Sequence, residues 1–403
     1  MSQAVHRISS QSSLQALRSH RFFMRSAFSI SNLFAWIFIF QYFAETSRSF
    51  ASAVLSCALL YALSQDITLL LTPLSAGRLR NGSRAPMTQG VLFASLSFFL
   101  LAAGMSGLLG AKVIFGILAY SIFYGAYRAL YWVPYEVDVS HIAGHKSISS
   151  YSFELFFAIL PAISGFVLSF GYPSAIFVLL ASGILMCASL IPLRHVPVVH
   201  EDFSWKYTRT FHELLDRRYR ALVITALADG FAGGALLLFW PIAAYIIVGR
   251  SFAMLGVVLT ITFLLVMLAR SVMRRYFRHL RIERSPAVHA VIAASSWIMR
   301  LIVSSPFGIV LVDSYFYVGN TVRGTGIDPL IFEQAADKGS YIDELTALKE
   351  LALSIGKICI CMFGAALTVL ISLPMVFIIV FMVAGVASAI AAYYARAVQI
   401  VGL

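Results

Sequence analysis

The sequence is poor in charge. Of 403 residues, 12% are Asp, Glu, Lys or Arg, and 60% are hydrophobic. A water-soluble domain is nearer a quarter charged and half apolar, so a soluble globular class is excluded. Acidic residues are the scarcer kind, 18 against 30 Lys and Arg, which leaves a formal net charge of +12. Cysteine is scarce as well: Cys57, Cys187, Cys359 and Cys361 are all there are, each inside an apolar run. Cys359-Ile360-Cys361 is too tight for the usual metal-ligand spacing, so these read as small packing residues. No Walker loop, nucleophile elbow or zinc-protease helix occurs. Too little chain lies outside the apolar runs to form a catalytic domain, so neither an enzyme nor a cofactor or metal is expected. The alternating polarity of a membrane β-barrel is missing too.

What the chain has in abundance is uncharged length. Runs such as Phe50–Gln65, Val91–Leu109 and Val376–Tyr393 can, alone or with their flanks, cross about 30 Å of hydrocarbon. In lipid every backbone amide must be satisfied within its own segment, so such runs are expected to be helices. Twelve spans are read. The first six are Ala27–Thr46, Phe50–Leu74, Met87–Leu109, Val113–Val133, Ser147–Phe170 and Pro173–Leu193. The second six are Ala221–Val248, Phe252–Ala269, Ala287–Ile302, Phe307–Val322, Leu345–Ile371 and Pro374–Ala395. The ninth and tenth are parted only by Ser304-Ser305-Pro306; Pro306 and Pro374 suit helix starts.

The basic residues sit in short loops between apolar runs and not along one soluble face, so no nucleic-acid partner is expected. With the N-terminus inside, the cytoplasmic connections hold Arg78, Arg80, Arg84, Lys146, Arg194, Arg217, Arg218, Arg274, Arg275, Arg278 and more, while the opposite side holds Arg48, Lys112 and Arg250. Positive charge in short loops sets orientation, so both termini are expected in the cytoplasm, by default that of a bacterium with this chain in its inner membrane. Residues 1–26 read as a basic cytoplasmic tail without an acidic residue before position 27. A transit peptide has similar composition, but Arg18, Arg21 and Arg25 abut the first span. Residues 194–220 read as a solvated cytoplasmic linker dividing an N-terminal six-helix bundle (27–193) from a C-terminal one (221–403).

A repeat runs through this layout. Arg25 recurs at Arg220 and Arg128 at Arg323 (220 − 25 = 195, 323 − 128 = 195), Arg80 maps onto Arg275, and Pro134 maps onto Pro329 by the same shift. Two similar halves in one orientation are the signature of a parallel-repeat transporter. Six plus six spans, a basic central loop and the loop Gly77-Arg78-Leu79-Arg80-Asn81-Gly82-Ser83-Arg84 resemble the major facilitator superfamily. Asn81 stands where that family often has Asp. Arg128 resembles the fourth-span Arg of many proton-driven members, with Trp132 where Gly would follow. The resemblance implies an all-α membrane protein of two six-helix bundles around a central site. It implies a secondary transporter of a small organic solute, coupled to protons and acting as a monomer in the lipid bilayer. Efflux of amphipathic compounds, or a non-transporting assembly or sensor protein, are the alternatives.

Charges inside a span are candidates for function. Arg128 and Glu154 are expected to pair between the fourth and fifth spans, and Arg323 and Glu350 to repeat that pair, as gates at the cytoplasmic side. Asp66, Asp229 and Asp313 are candidate proton carriers. Tyr120, Tyr124, Tyr127 and Tyr131 are spaced to share one helical face. The resemblance places Tyr124, Arg128, Tyr131, Asp313, Tyr317 and Asn320 toward the central cavity. His141 and His145 have metal-ligand spacing but read as loop histidines.

Overall fold

In the computed structural model the described residues are 2–106, 112–142, 151–276, 286–320 and 342–400; they form helices joined by short connections, and no strand occurs among them. The first helix, α1 (Ser2–Ser47), has neither Gly nor Pro, so nothing interrupts it. This corrects the expected tail: residues 2–26 continue the first span as one helix, and His20 and Arg25 are buried inside the bundle. A second helix, α2 (Phe50–Gly77), ends in a tight turn, Arg78–Asn81, before α3 (Arg84–Met105). There follow α4 (Val113–Ile142), α5 (Tyr151–Leu168), α6 (Tyr172–Leu193) and the short α7 (Tyr207–Glu213). Beyond them come α8 (Arg220–Gly234), α9 (Trp240–Ile247), α10 (Phe252–Tyr276), α11 (Pro286–Leu301), α12 (Pro306–Asn320), α13 (Ile342–Leu370) and α14 (Leu373–Ile400). The break before Pro306 falls where the sequence puts it.

Between α8 and α9 the chain does not leave the helix but widens for one turn, Ala235–Phe239, where the Trp240 amide bonds back to the Ala235 carbonyl. Pro241 supplies the cause. It has no N–H to offer the Leu237 carbonyl, and its ring crowds that turn.

By length and composition nine helical stretches among the described residues can cross a membrane; Ser152–Leu168, Ala290–Leu301 and Pro306–Gly319 are shorter apolar helices. Within the first half α3 packs on α4 and α6, and α1 on α6; within the second, α8 packs on α13 and α14, and α11 on α14. Two contacts join the halves along their length, α2 on α13 and α5 on α10. The second is a glycine seat: a Cβ on Gly165 or Gly256 would stand 3.1 Å from the other's Cα, and would also run into backbone carbonyls. Small residues of this kind let membrane helices approach closely.

One end of the bundle carries the 78–83 turn and the midpoint segment, and is called the linker end below. The segment is not merely solvated. The Ser83 amide donates to the Val199 carbonyl (2.8 Å), and the Arg84 guanidinium bonds the Val196 carbonyl. Phe203 packs against Ala76, Leu79, Val133, Val137 and Ala347, residues of α2, α4 and α13 and the turn after α2. Ser204 donates its amide (3.0 Å) and hydroxyl (2.7 Å) to one carboxylate oxygen of Glu344, in the first turn of α13.

Candidate substrate cavity

A cavity lies among α1, α2, α4, α5, α8–α9, α10 and α12, with about 1060 Å³ free of protein atoms, its open mouth included. From the second half come Leu237, Pro241, Leu259, Phe263, Met267 and Tyr317; Leu236 and Leu237, on the widened turn, face it directly. From the first half come Phe28, Trp36, Tyr61, Tyr124 and Phe157 together with Arg25 and Glu154, the only charged lining residues among the described residues. Of the residues expected to face a cavity, Tyr124 and Tyr317 do so.

Arg25 and Glu154 form a forked pair: Nη1 donates to Oε1 (2.7 Å) and Nη2 to Oε2 (3.0 Å). The guanidinium also lies 4.3 Å from the ring centre of Phe157, a favourable stack of cation on aromatic face. The arginine side chain is 7% exposed and the glutamate 20%, so the carboxylate is the more accessible member.

This pair corrects the expected partner of Glu154. Arg128, buried on α4, instead bonds Glu350 of α13, also buried, with Nη2 and Oε1 2.7 Å apart. The pairing by adjacency in sequence fails because α4 meets α13 here, whereas Glu154, on the fourth residue of α5, turns toward α1. Arg323, the expected partner of Glu350, and Asn320's side chain lie outside the described residues. Glu136, on the turn of α4 past the expected span, lies within electrostatic reach of Arg21 of α1 and of Lys349 and Glu350 of α13. The sequence reading left Glu136 outside the span and so missed it.

Asp313 is not on the cavity wall. It is held by Arg300 of α11 (Nη2 to Oδ1, 2.7 Å) and by Trp240, whose indole N–H donates to Oδ2 (3.0 Å). The Arg300 guanidinium lies 5.0, 4.6 and 4.5 Å from the rings of Trp240, Trp297 and Phe316. Arg300 is enclosed in the bundle, 2% exposed. Asp66 and Asp229 are half-buried on α2 and α8, also off the wall.

The tyrosine face of α4 is real and longer than read. Tyr120, Tyr124, Tyr127, Tyr131 and Tyr135 follow one another with ring centres 5.5, 5.8, 5.6 and 5.1 Å apart. Tyr131 is buried away from the cavity and lies 2.9 Å from His20 Nε2. His20 Nδ1 is 2.8 Å from the Ser189 carbonyl, which can only accept. His20 thereby ties α1 to α4 and α6. His141 faces Glu201 at 3.1 Å, and His145 lies outside the described residues. Among the described residues no group of three His, Cys, Asp or Glu could hold a metal ion.

At the far end the halves meet through aromatics: Phe252, opening α10, lies 6.1 and 5.2 Å from Phe34 and Phe38 of α1. Arg250 lies 5.7 Å from the ring centre of Phe50. Cross-half contacts therefore exist at both ends, ionic at one and aromatic at the other.

No protein-family model matches the chain, and no curated protein matches its sequence. Solved structures do match its shape. It is similar to a D-xylose–proton symporter, at 13% identity and TM-score 0.62 over 94% of this chain and 97% of that one. It is similar to a POT family transporter solved with 5-aminolevulinic acid, at 13% identity and TM-score 0.61 over 93% and 94%. The POT family transporter PepTSo gives 12% identity and TM-score 0.61 over 96% and 98%. The fold anticipated from the sequence, that of the major facilitator superfamily, is the fold these transporters share.

Proposed function

From that fold as premise, we propose that the chain is a proton-coupled secondary transporter that moves a small organic solute by alternating access. In this reading the nine long and three shorter apolar stretches are twelve spans, in two six-helix halves around the cavity. The linker end faces the cytoplasm, by default that of a bacterium with the monomer in its inner membrane. The observation that carries the proposal is the cavity itself. A scaffold would fill its centre with side chains, whereas here a space walled by both halves contains a buried ion pair.

The access change follows from the two cross-half contacts. Arg128–Glu350 latches α4 to α13 at the linker end, and Phe252 seats on Phe34 and Phe38 at the far end. Opening one side further breaks one contact while the other holds. Glu154, on the cavity wall, is the foremost proton carrier; Asp66 and Asp229 rank below it. A like-folded protein that couples D-xylose to protons supports this choice of ion.

The test is proton movement by purified protein in liposomes, challenged with sugars, organic acids, amines and peptides. A solute-dependent pH change that vanishes in Glu154→Gln supports the proposal. Solute uptake without proton movement would replace coupling with facilitated diffusion, and no uptake across the panel by folded, inserted protein would make this a non-transporting component. Efflux of amphipathic compounds is favoured by the largely apolar wall and would appear in the same assay as outward proton-exchanged release.

A further inference from the structure

Building on the transporter reading, we propose that Arg25 is the anchor for the carboxylate of an amphipathic monocarboxylate, whose apolar body lies against Leu237, Leu259, Phe263 and Met267. The wall is divided to suit such a molecule. Its charged lining residues both come from the first half, and the widened turn, α9 and α10 give it only apolar groups. A planar guanidinium with its two terminal nitrogens held side by side is the shape that takes a carboxylate in a fork. Glu154 occupies that fork and shows the geometry a ligand carboxylate would take.

The pair's chemistry selects an anion over a cation. Splitting a buried ion pair is costly unless neither member is left charged and alone. A cationic ligand taking Glu154 would remove the carboxylate that balances Arg25, and an arginine cannot shed its proton in a protein. An anion taking Arg25 displaces Glu154, and a carboxylate can accept a proton. Glu154 is also the more exposed member, 20% against 7%, and Arg25 is stacked on Phe157. One proton bound to Glu154 per anion bound to Arg25 keeps the site neutral, so anion and proton enter together. The titratable or charged groups that line the cavity with Glu154 are Arg25 on α1, Tyr61 on α2, Tyr124 on α4 and Tyr317 on α12. Glu154 is the carboxylate among them that lines the cavity.

The test is equilibrium binding to purified full-length protein, separate from transport. The probes share one phenyl body: 3-phenylpropanoate, 3-phenylpropanamide, 3-phenylpropylamine and phenylalanine. The expected result is saturable binding of the propanoate with uptake of one proton, and no comparable binding of amide or amine. Arg25→Gln should weaken the propanoate about tenfold to a hundredfold, the loss of a charge-assisted pair. Glu154→Gln, which removes the competitor and keeps the shape, should bind at least as tightly with no proton uptake. Should Arg25→Gln fail to fold, Arg25→Lys, which keeps the charge without the fork, should still weaken the propanoate and leave amide binding unchanged. Equal binding of amine or amide, tighter binding of phenylalanine without proton uptake, indifference to the Arg25 variants, or no propanoate binding would each overturn the inference. Proton-driven uptake of an uncharged solute alongside any of these would leave the transporter reading standing.

Discussion

Two buried arginine–carboxylate pairs, one in each half, invite comparison. Arg25–Glu154 and Arg300–Asp313 have the same shortest distance, 2.7 Å, and each arginine lies against an aromatic face. They differ in what surrounds the acid. Asp313 is 6% exposed and bound on its second oxygen by Trp240, and its partner Arg300 packs against three rings; Glu154 is 20% exposed on the wall of a cavity. The Arg300–Asp313 pair is enclosed, with side chains 0% and 6% exposed. The other can exchange its acid for a ligand's. Identical local chemistry thus supports a fixed tie between α11 and α12 in one half and a binding site in the other. The widened turn joins the two: Trp240, which holds Asp313, directly follows the turn that presents Leu236 and Leu237 to the cavity.

The comparison breaks most severely at Asp313. Asp313→Ala leaves Arg300 charged, buried and without its carboxylate, and should cost about 3–5 kcal/mol, seen as a large fall in thermal stability in detergent. Replacing both members, Arg300→Met with Asp313→Leu, should recover most of the loss, because apolar groups of similar volume often substitute well for a buried pair. If the double variant is no better than Asp313→Ala, Asp313 does more than balance Arg300.

Next in size comes the pair between the halves. Arg128→Gln and Glu350→Gln should each shift the protein toward the state open at the linker end, read as faster labelling of a cysteine placed on α4 near that end. Their effects should fall short of additive by about 0.5–3 kcal/mol, the coupling of residues in direct contact. Full additivity would show that the two do not act as a latch. Glu154→Gln sharpens the comparison from the other side. Because the cavity can hydrate what is left unpaired, its loss of stability should be well under half that of Asp313→Ala. An equal loss would place Glu154 with the fixed ties.

The apolar layout was legible because it is written in consecutive residues: span positions, the break at Pro306, and the tyrosine face at spacings of 4, 3 and 4. The ion pairs were not. Arg128 and Glu350 are 222 positions apart and Arg25 and Glu154 are 129 apart, and adjacency in the chain favoured other partners. The repeat misled in the same way. Arg25 is buried at the cavity, whereas its counterpart Arg220 is exposed at the start of α8. An arginine at the membrane edge can either snorkel outward or turn into the bundle, and an offset of 195 is blind to that choice. Arg25 had a legible signal, its place three residues from an aromatic, Phe28, on a helix facing the core, but a basic tail was the simpler account.

The smallest expected effect tests whether burial or pairing is the cause of these differences. Arg80 and Asp202 also form an ion pair, at 3.1 Å, at the linker end, joining the turn after α2 to the midpoint segment; their side chains are 73% and 85% exposed. Water already solvates both charges, and salt screens their attraction over about 10 Å at 0.1 M, so exposed pairs of this kind contribute little. The midpoint segment has other fastenings, Ser83 to Val199 and Ser204 to Glu344. Asp202→Asn should therefore leave melting temperature and transport unchanged at physiological salt. A loss approaching that of Glu154→Gln would mean that the strap across the linker end, and not the depth of the charge, sets how much an ion pair matters in this molecule.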